Sequence, residues 1–137
     1  VMNLGKRYDV KVLIENVGLR TKNNVLFDLP EYVALLDIFP QAGALLDTGH
    51  AHVNGWDIPA VVKALGERLA ACHVHDNDGS GDAHLPVGQG DIDWKAYFGA
   101  VKKYAPQATQ VFEYCCGFNN TKDLEAHIAE LKAKYKL

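Results

Sequence analysis

Four short runs of β-branched and apolar residues alternate with stretches of helical periodicity. No other feature of the chain constrains its fold as tightly. Strands are expected at Val10–Glu15, Ala42–Asp47, Ala71–His75 and Thr109–Tyr114. Between the first two, Asp28-Leu-Pro-Glu31 reads as a helix start, with Asp at the N-cap, Pro in the first turn and Glu at the third position. Tyr32, Leu35, Leu36 and Phe39 then recur at helical spacing until Pro40 ends the helix. Asp57 with Pro59 opens a helix carrying Val61, Val62, Leu65 and Leu69. Asp93 caps one with Trp94, Tyr97, Phe98 and Val101, and Thr121 caps a last one with Leu124, Ile128, Leu131 and Tyr135. Val1–Asp9 reads as the last turns of a helix feeding the first strand.

Strands and helices in strict alternation imply a parallel sheet with covering helices. Two architectures fit this α/β pattern: an open doubly wound sheet and part of a (β/α)8 barrel. No Gly-x-Gly-x-x-Gly follows the first strand, which argues against a dinucleotide site. A full barrel needs about 250 residues. The 137 residues here supply four units, half of one, with no linker or repeat to divide them, so 1–137 is expected to be a single domain.

Composition removes several classes of function. Apolar residues at 48% and charged residues at 23% exclude a disordered chain. No apolar run approaches the ~18–20 residues that cross a bilayer, so no membrane partner is expected. Val1–Tyr8 lacks the long apolar stretch of a signal peptide. A net charge of -3 argues against nucleic acid, whose phosphates call for a basic patch. The three cysteines, two of them adjacent at Cys115 and Cys116, fit neither a disulfide framework nor a zinc knuckle. They read as inert, packed thiols in a reducing compartment, and the expected location is cytoplasmic.

Each expected strand carries a residue able to bind a metal at its carboxyl end, the last residue in three and the last but one in the fourth: Glu15, Asp47, His75 and Glu113. Side chains alternate faces along a strand, so Leu13, Leu45, His73 and Val111 share their faces one layer deeper. Carboxyl ends of parallel strands are where active sites lie in both architectures. Five of the six histidines fall between positions 50 and 84, grouped as Asp47-x-x-His50, His73-x-His75-x-x-Asp78 and Asp82-x-His84. Imidazole with carboxylates suits a divalent ion such as Mn, Zn, Co or Mg. Two Glu, one Asp and one His form an oxygen-rich set, which tilts toward manganese or magnesium over a structural zinc. His52 is expected in a loop, His73 as a hydrogen-bonded core residue and His127 on the surface. Trp56 and Trp94 are read as packing or substrate-wall residues.

Taken in order, these segments resemble the C-terminal half of the xylose isomerase-like barrel superfamily, which holds sugar-phosphate isomerases and epimerases together with endonuclease IV. The segments are Leu13-Ile-Glu-Asn16, Leu46-Asp-Thr-Gly-His50, His73-Val-His-Asp-Asn-Asp78, Asp82 to Gly90 with Asp91-Ile-Asp-Trp94, and Phe112-Glu113. The resemblance implies that Glu15, Asp47, His75 and Glu113 bind one divalent metal, with manganese the first choice. It implies that His50, Asp82 and His84 contact substrate, or hold additional metal in the endonuclease branch. The implied chemistry is isomerisation or epimerisation of a sugar or sugar phosphate through a metal-stabilised enediolate, with Glu15 and Glu113 moving protons. An abasic-site endonuclease with a zinc cluster and a polyol dehydratase or lyase are the alternatives. Only the last four of eight barrel strands are represented. The chain is therefore expected to be a fragment, completed by the missing N-terminal half or by pairing with another copy.

Overall fold

The computed structural model describes residues Val1–Leu137. Its sheet has four strands in the order β1 (Leu13–Glu15), β2 (Gly43–Asp47), β3 (Leu69–Val74) and β4 (Thr109–Phe112). All neighbours are parallel. Helix α1 (Met2–Tyr8) leads into β1, and α2 (Leu29–Ile38) joins β1 to β2. Helices α3 (Thr48–Val53) and α4 (Ile58–Leu65) join β2 to β3, α5 (Trp94–Tyr104) joins β3 to β4, and α6 (Thr121–Tyr135) closes the chain. The expected half-barrel of four βα units is what the chain forms.

Local chemistry sets the boundaries. Asp28 and Glu31 make the reciprocal capping box at α2, and Asp57 and Asp93 accept from the backbone at the starts of α4 and α5. At α6 the cap is Asn120, not Thr121: the Asn120 side chain accepts from the Asp123 N–H at 3.1 Å. Expected strand ends run past the ladders. β1 starts at Leu13, β3 stops before His75 and β4 before Glu113. The short α3 was not expected, because its six residues are too few to show periodicity. It starts directly from the end of β2, capped by Asp47.

Strand alternation divides the sheet. Ile14, Ala44, Leu46, Cys72, Val74 and Phe112 face the helices, where twenty-two buried residues form one cluster with Tyr32, Val61, Val62, Tyr97 and Phe98 among them. Leu13, Leu45, His73 and Val111 face the other way, onto a concave side left partly open: Val111 is 41% exposed. Tyr32 of α2 ties the outer strand to its neighbour, since its hydroxyl reaches the carbonyls of both Ile14 (2.9 Å) and Leu45 (2.8 Å). Both tryptophans serve packing: Trp56 lies against Tyr32, and Trp94 is buried in the core. His127 is half-buried against Tyr114 and Phe118 instead of lying on the surface, and burial pushes its pKa down. Of the thiols only Cys72 is packed; Cys115 and Cys116 are exposed.

Candidate functional site

The ladder registers stagger the strand tips. Glu15 pairs with Leu45, and Leu45 with Ala71; Asp47 pairs with His73, and His73 with Val111. Glu15 therefore stands one layer below Asp47 and His73, and His75 and Glu113 stand one layer above. The inclined strands of a barrel produce this stagger. It is why His73, expected deeper in the core, reaches the same space as the strand-end groups.

At the centre, Asp47 is held on every side. Asn16 grips its backbone with both ends of the amide, accepting from the Asp47 N–H at 2.7 Å and donating to its carbonyl at 3.1 Å. The Asp47 carboxylate accepts from the His50 N–H at 2.7 Å and meets His75 Nε2 at 3.1 Å. Burial alone would raise the Asp47 pKa. The hydrogen bond and charge of His75, joined by His50, outweigh it and hold the group below its ordinary value. His75 is fully buried. Its ring lies against Gly49, where any Cβ would overlap it, and stacks on His84 with centroids 3.9 Å apart. Thr48 Oγ1 bridges the carbonyls of His73 and His75 at 3.1 Å each.

The outer strands bring the two glutamates in from opposite edges. His73 Nδ1 lies 3.2 Å from Glu15 Oε1, 3.3 Å from Glu113 Oε2 and 3.7 Å from Asp47 Oδ2. A second constellation surrounds Asp82, whose Oδ2 is 3.2 Å from His50 Nε2 and 3.1 Å from His84 Nε2. In both rings Nδ1 faces a backbone carbonyl, that of Asn16 for His50 (3.0 Å) and that of Glu113 for His84 (3.1 Å). The carbonyl at Nδ1 and the Asp82 carboxylate at Nε2 both only accept, so a neutral ring can donate to just one of them. Burial works against the His84 cation, but the Glu113 carbonyl and the Asp82 and Glu113 charges outweigh it and raise its pKa.

This donor set fits a divalent cation. Two groups of ligand atoms lie within 4.8 Å of one another, Glu15–Asp47–His73 and His75–His84–Glu113, and the 3.3 Å contact of His73 with Glu113 joins them. Two buried polar atoms, His75 Nδ1 and Asp82 Oδ1, have no hydrogen-bond partner and stand 3.7 Å apart. Buried polar atoms are rarely left unpartnered. Four carboxylates drawn around shared imidazoles are also mutually repulsive unless positive charge joins them.

Sequence reasoning passed over two groups that hold this arrangement. Asn16 is one. The other is Asp76, fully buried, which accepts from the Gly88 N–H (2.8 Å), the Asn77 N–H (3.0 Å) and Trp94 Nε1 (2.7 Å). Asp76 thereby folds the 76–91 loop back over the sheet and brings Asp82 and His84 to the site. A carboxylate at the head of a Gly-rich loop, followed by an indole, is the signal that could have revealed it.

Comparison with known proteins bears on the fold. The sequence matches the description "Xylose isomerase-like TIM barrel" over residues 1–134. The chain belongs to that family. Similar solved structures include a D-allulose 3-epimerase from Methylomonas sp., with a TM-score of 0.78 at 18% identity over 98% of this chain and 51% of that one. A D-tagatose 3-epimerase-like protein gives a TM-score of 0.72 at 23% identity over 97% and 52%. At such identities the likeness establishes the barrel fold. Two uncharacterized proteins of Methanocaldococcus jannaschii are 28% and 31% identical over 101 residues. Those stretches cover 74% and 69% of this chain and 38% and 33% of the relatives. The chain thus spans about half the length of these solved structures. No helix in it is long and apolar enough to cross a membrane.

Proposed function

We propose that this chain is the metal-binding and proton-transferring half of a sugar or sugar-phosphate isomerase or epimerase. One observation carries the reading: Glu15 and Glu113, from the two outermost strands, converge on one imidazole nitrogen at 3.2 and 3.3 Å beside the Asp47–His75 pair. Glu15, Asp47, His75 and Glu113 would hold one divalent ion, manganese by preference for so oxygen-rich a set. That ion, when bound, would draw electron density from a ketose carbonyl and so acidify the neighbouring C–H bond. The chain's own groups do the rest. One glutamate accepts the carbon-bound proton and the other delivers a proton to the opposite face, which inverts that carbon. His50, Asp82 and His84 are positioned to bind the sugar hydroxyls. The solved relatives named as 3-epimerases, one in complex with D-allulose and one with D-fructose present, support a ketose as substrate. Residues 1–137 form one half-barrel unit in this reading, and the concave face is closed by the other half of the barrel.

A second reading has its own support. The Nε2 atoms of His50 and His84 converge on one Asp82 oxygen, an arrangement that would also hold an additional zinc, as in the endonuclease branch. The net charge of -3 and the single arginine between Glu15 and Asp47 weigh against a DNA backbone.

Metal titration separates the two. One manganese per chain is expected, with Glu15→Gln and Glu113→Gln each weakening it about tenfold or more, ~1.4 kcal/mol. Two or more zinc ions per chain favour the nuclease. In heavy water, D-allulose, D-tagatose or D-fructose is expected to acquire carbon-bound deuterium when incubated with the protein and manganese. A Glu113→Gln variant that binds metal and exchanges at the wild-type rate would overturn the two-carboxylate reading.

A further inference from the structure

Two residues beyond Glu113 stand adjacent cysteines that the proposed chemistry leaves unused. Cys115 and Cys116 are both exposed. Both open onto a groove of about 450 Å³, wide enough to admit small oxidants. The Cys115 thiol also donates to the Ala83 carbonyl at 3.2 Å, and the Cys115 N–H donates to the His84 carbonyl at 3.1 Å. The His84 ring returns the contact, donating from Nδ1 to the Glu113 carbonyl at 3.1 Å. Gly117 completes the clasp, because a Cβ there would stand 2.5 Å from Pro86 Cγ. His84 itself has φ 47°, a left-handed conformation that a non-glycine residue holds only when its surroundings enforce it. The segment 113–117 thus holds one side of 83–86, and the paired backbone bonds of Leu85 with Asp76 hold the other.

We propose that Cys115 and Cys116 are a reversible oxidation site, converted by a peroxide or by glutathione disulfide to a vicinal disulfide that loosens the 83–86 segment. With hydrogen peroxide, one thiol gives up its proton and the thiolate attacks a peroxide oxygen. An S–O bond forms, the O–O bond breaks, and the departing hydroxide takes up that proton as the first water. The neighbouring thiol likewise loses its proton and attacks that sulfur; the S–S bond forms, the S–O bond breaks, and the hydroxide leaves with that proton as the second water. Two thiols are oxidised by two electrons and one peroxide is reduced. With glutathione disulfide, two successive exchanges release two glutathione thiols.

Either route removes the S–H that Cys115 donates to Ala83. Ring closure also strains the backbone. Disulfides usually span Cα separations of about 4.4–6.8 Å, whereas neighbouring Cα atoms lie ~3.8 Å apart across a trans peptide. The adjustment falls on the 115–116 peptide and pulls at the Cys115 N–H bond to His84. A strained, exposed disulfide is readily reduced, so the change reverses with glutathione.

The test needs neither bound metal nor turnover, so its outcome is independent of the proposed function. The whole chain is treated with hydrogen peroxide, alkylated and digested with trypsin. The peptide 104–122 carries Cys115 and Cys116 and no third cysteine. It is expected to lose two hydrogens, resist alkylation at both sulfurs and recover both thiols on incubation with glutathione. Amide exchange across 83–87 is expected to rise at least about threefold in the oxidised protein. It is expected to stay at the reduced level in peroxide-treated Cys116→Ser. A peptide that remains alkylatable at both sulfurs, gathers oxygen atoms or links two chains overturns the site. Loss of two hydrogens with unchanged exchange across 83–87 overturns the clasp.

Discussion

The centre of the sheet and its outer strands carry the same kinds of ligand and hold them in opposite ways. At the ends of β2 and β3, Asp47 and His75 are 1% and 0% exposed, and the backbones around them are pinned by Asn16 and Thr48. At the ends of β1 and β4, strands of three and four residues, the side chains of Glu15 and Glu113 are 29% and 47% exposed. The buried pair is fixed before any ligand arrives. The glutamates keep access to solvent and freedom to adjust, which the proposed proton transfer would require. Rigidity is concentrated at the buried pair, and openness at the outer edges.

The largest test of that contrast is Asp76→Ala. It leaves donors of the buried residues Asn77, Ile92 and Trp94 without an acceptor, and should cost about 3–5 kcal/mol in chemical denaturation. A loss below ~1 kcal/mol would mean that the 76–91 loop is not anchored to the centre. Asn16→Ala comes next, at about 1–3 kcal/mol, because both Asp47 backbone groups lose their partner. Glu113→Gln, at an open edge, should change stability by less than ~0.5 kcal/mol while weakening metal binding. If it destabilises as much as Asn16→Ala, the outer strands are held as firmly as the centre and the distinction fails.

The same contrast governs what could be read from sequence. The four strands, the capped helices and the placing of Glu15, Asp47, His75 and Glu113 at the carboxyl ends of the strands were legible because each rests on local pattern: alternation, an N-cap, a polar residue at a strand end. His73 was misjudged because its place depends on register across three strands, which no single run encodes. Asn16 and Asp76 were missed for a related reason. Their partners lie 31 residues away for Asn16 and up to 18 for Asp76, and a polar side chain shows its value only when burial is known. The expectation of packed thiols failed at Cys115 and Cys116 because both follow β4 at the sheet's open edge.

A smaller effect is the pH dependence of the metal-free protein. The folded pKa of Asp47 lies below its ordinary value. Its contribution to stability is therefore fully present above the unfolded pKa, about 4, and is lost as pH falls through the folded value. Denaturation curves from about pH 7 down to about pH 3 should show wild type losing stability faster than Asp47→Asn. Parallel curves would mean that His75 and His50 do not hold the carboxylate charged.

The smallest perturbation is thiol labelling, which leaves the structure untouched. Cys72 sits on the helix side of β3, where burial and the Asp47 charge push its thiol up to about 11, against the opposing hydrogen bonds of Tyr97 and Gln110. At about pH 8 only ~0.1% of it is thiolate, and reagent reaches the sulfur only when the sheet opens. Cys115 and Cys116 should react at once with an aromatic disulfide reagent, and Cys72 at the rate of global unfolding, accelerated by denaturant with the slope of the full transition. If Cys72 instead reacts with little denaturant dependence, the central strands open locally as readily as the outer ones. The fixed half of the site would then owe its geometry to a bound ligand and not to the fold.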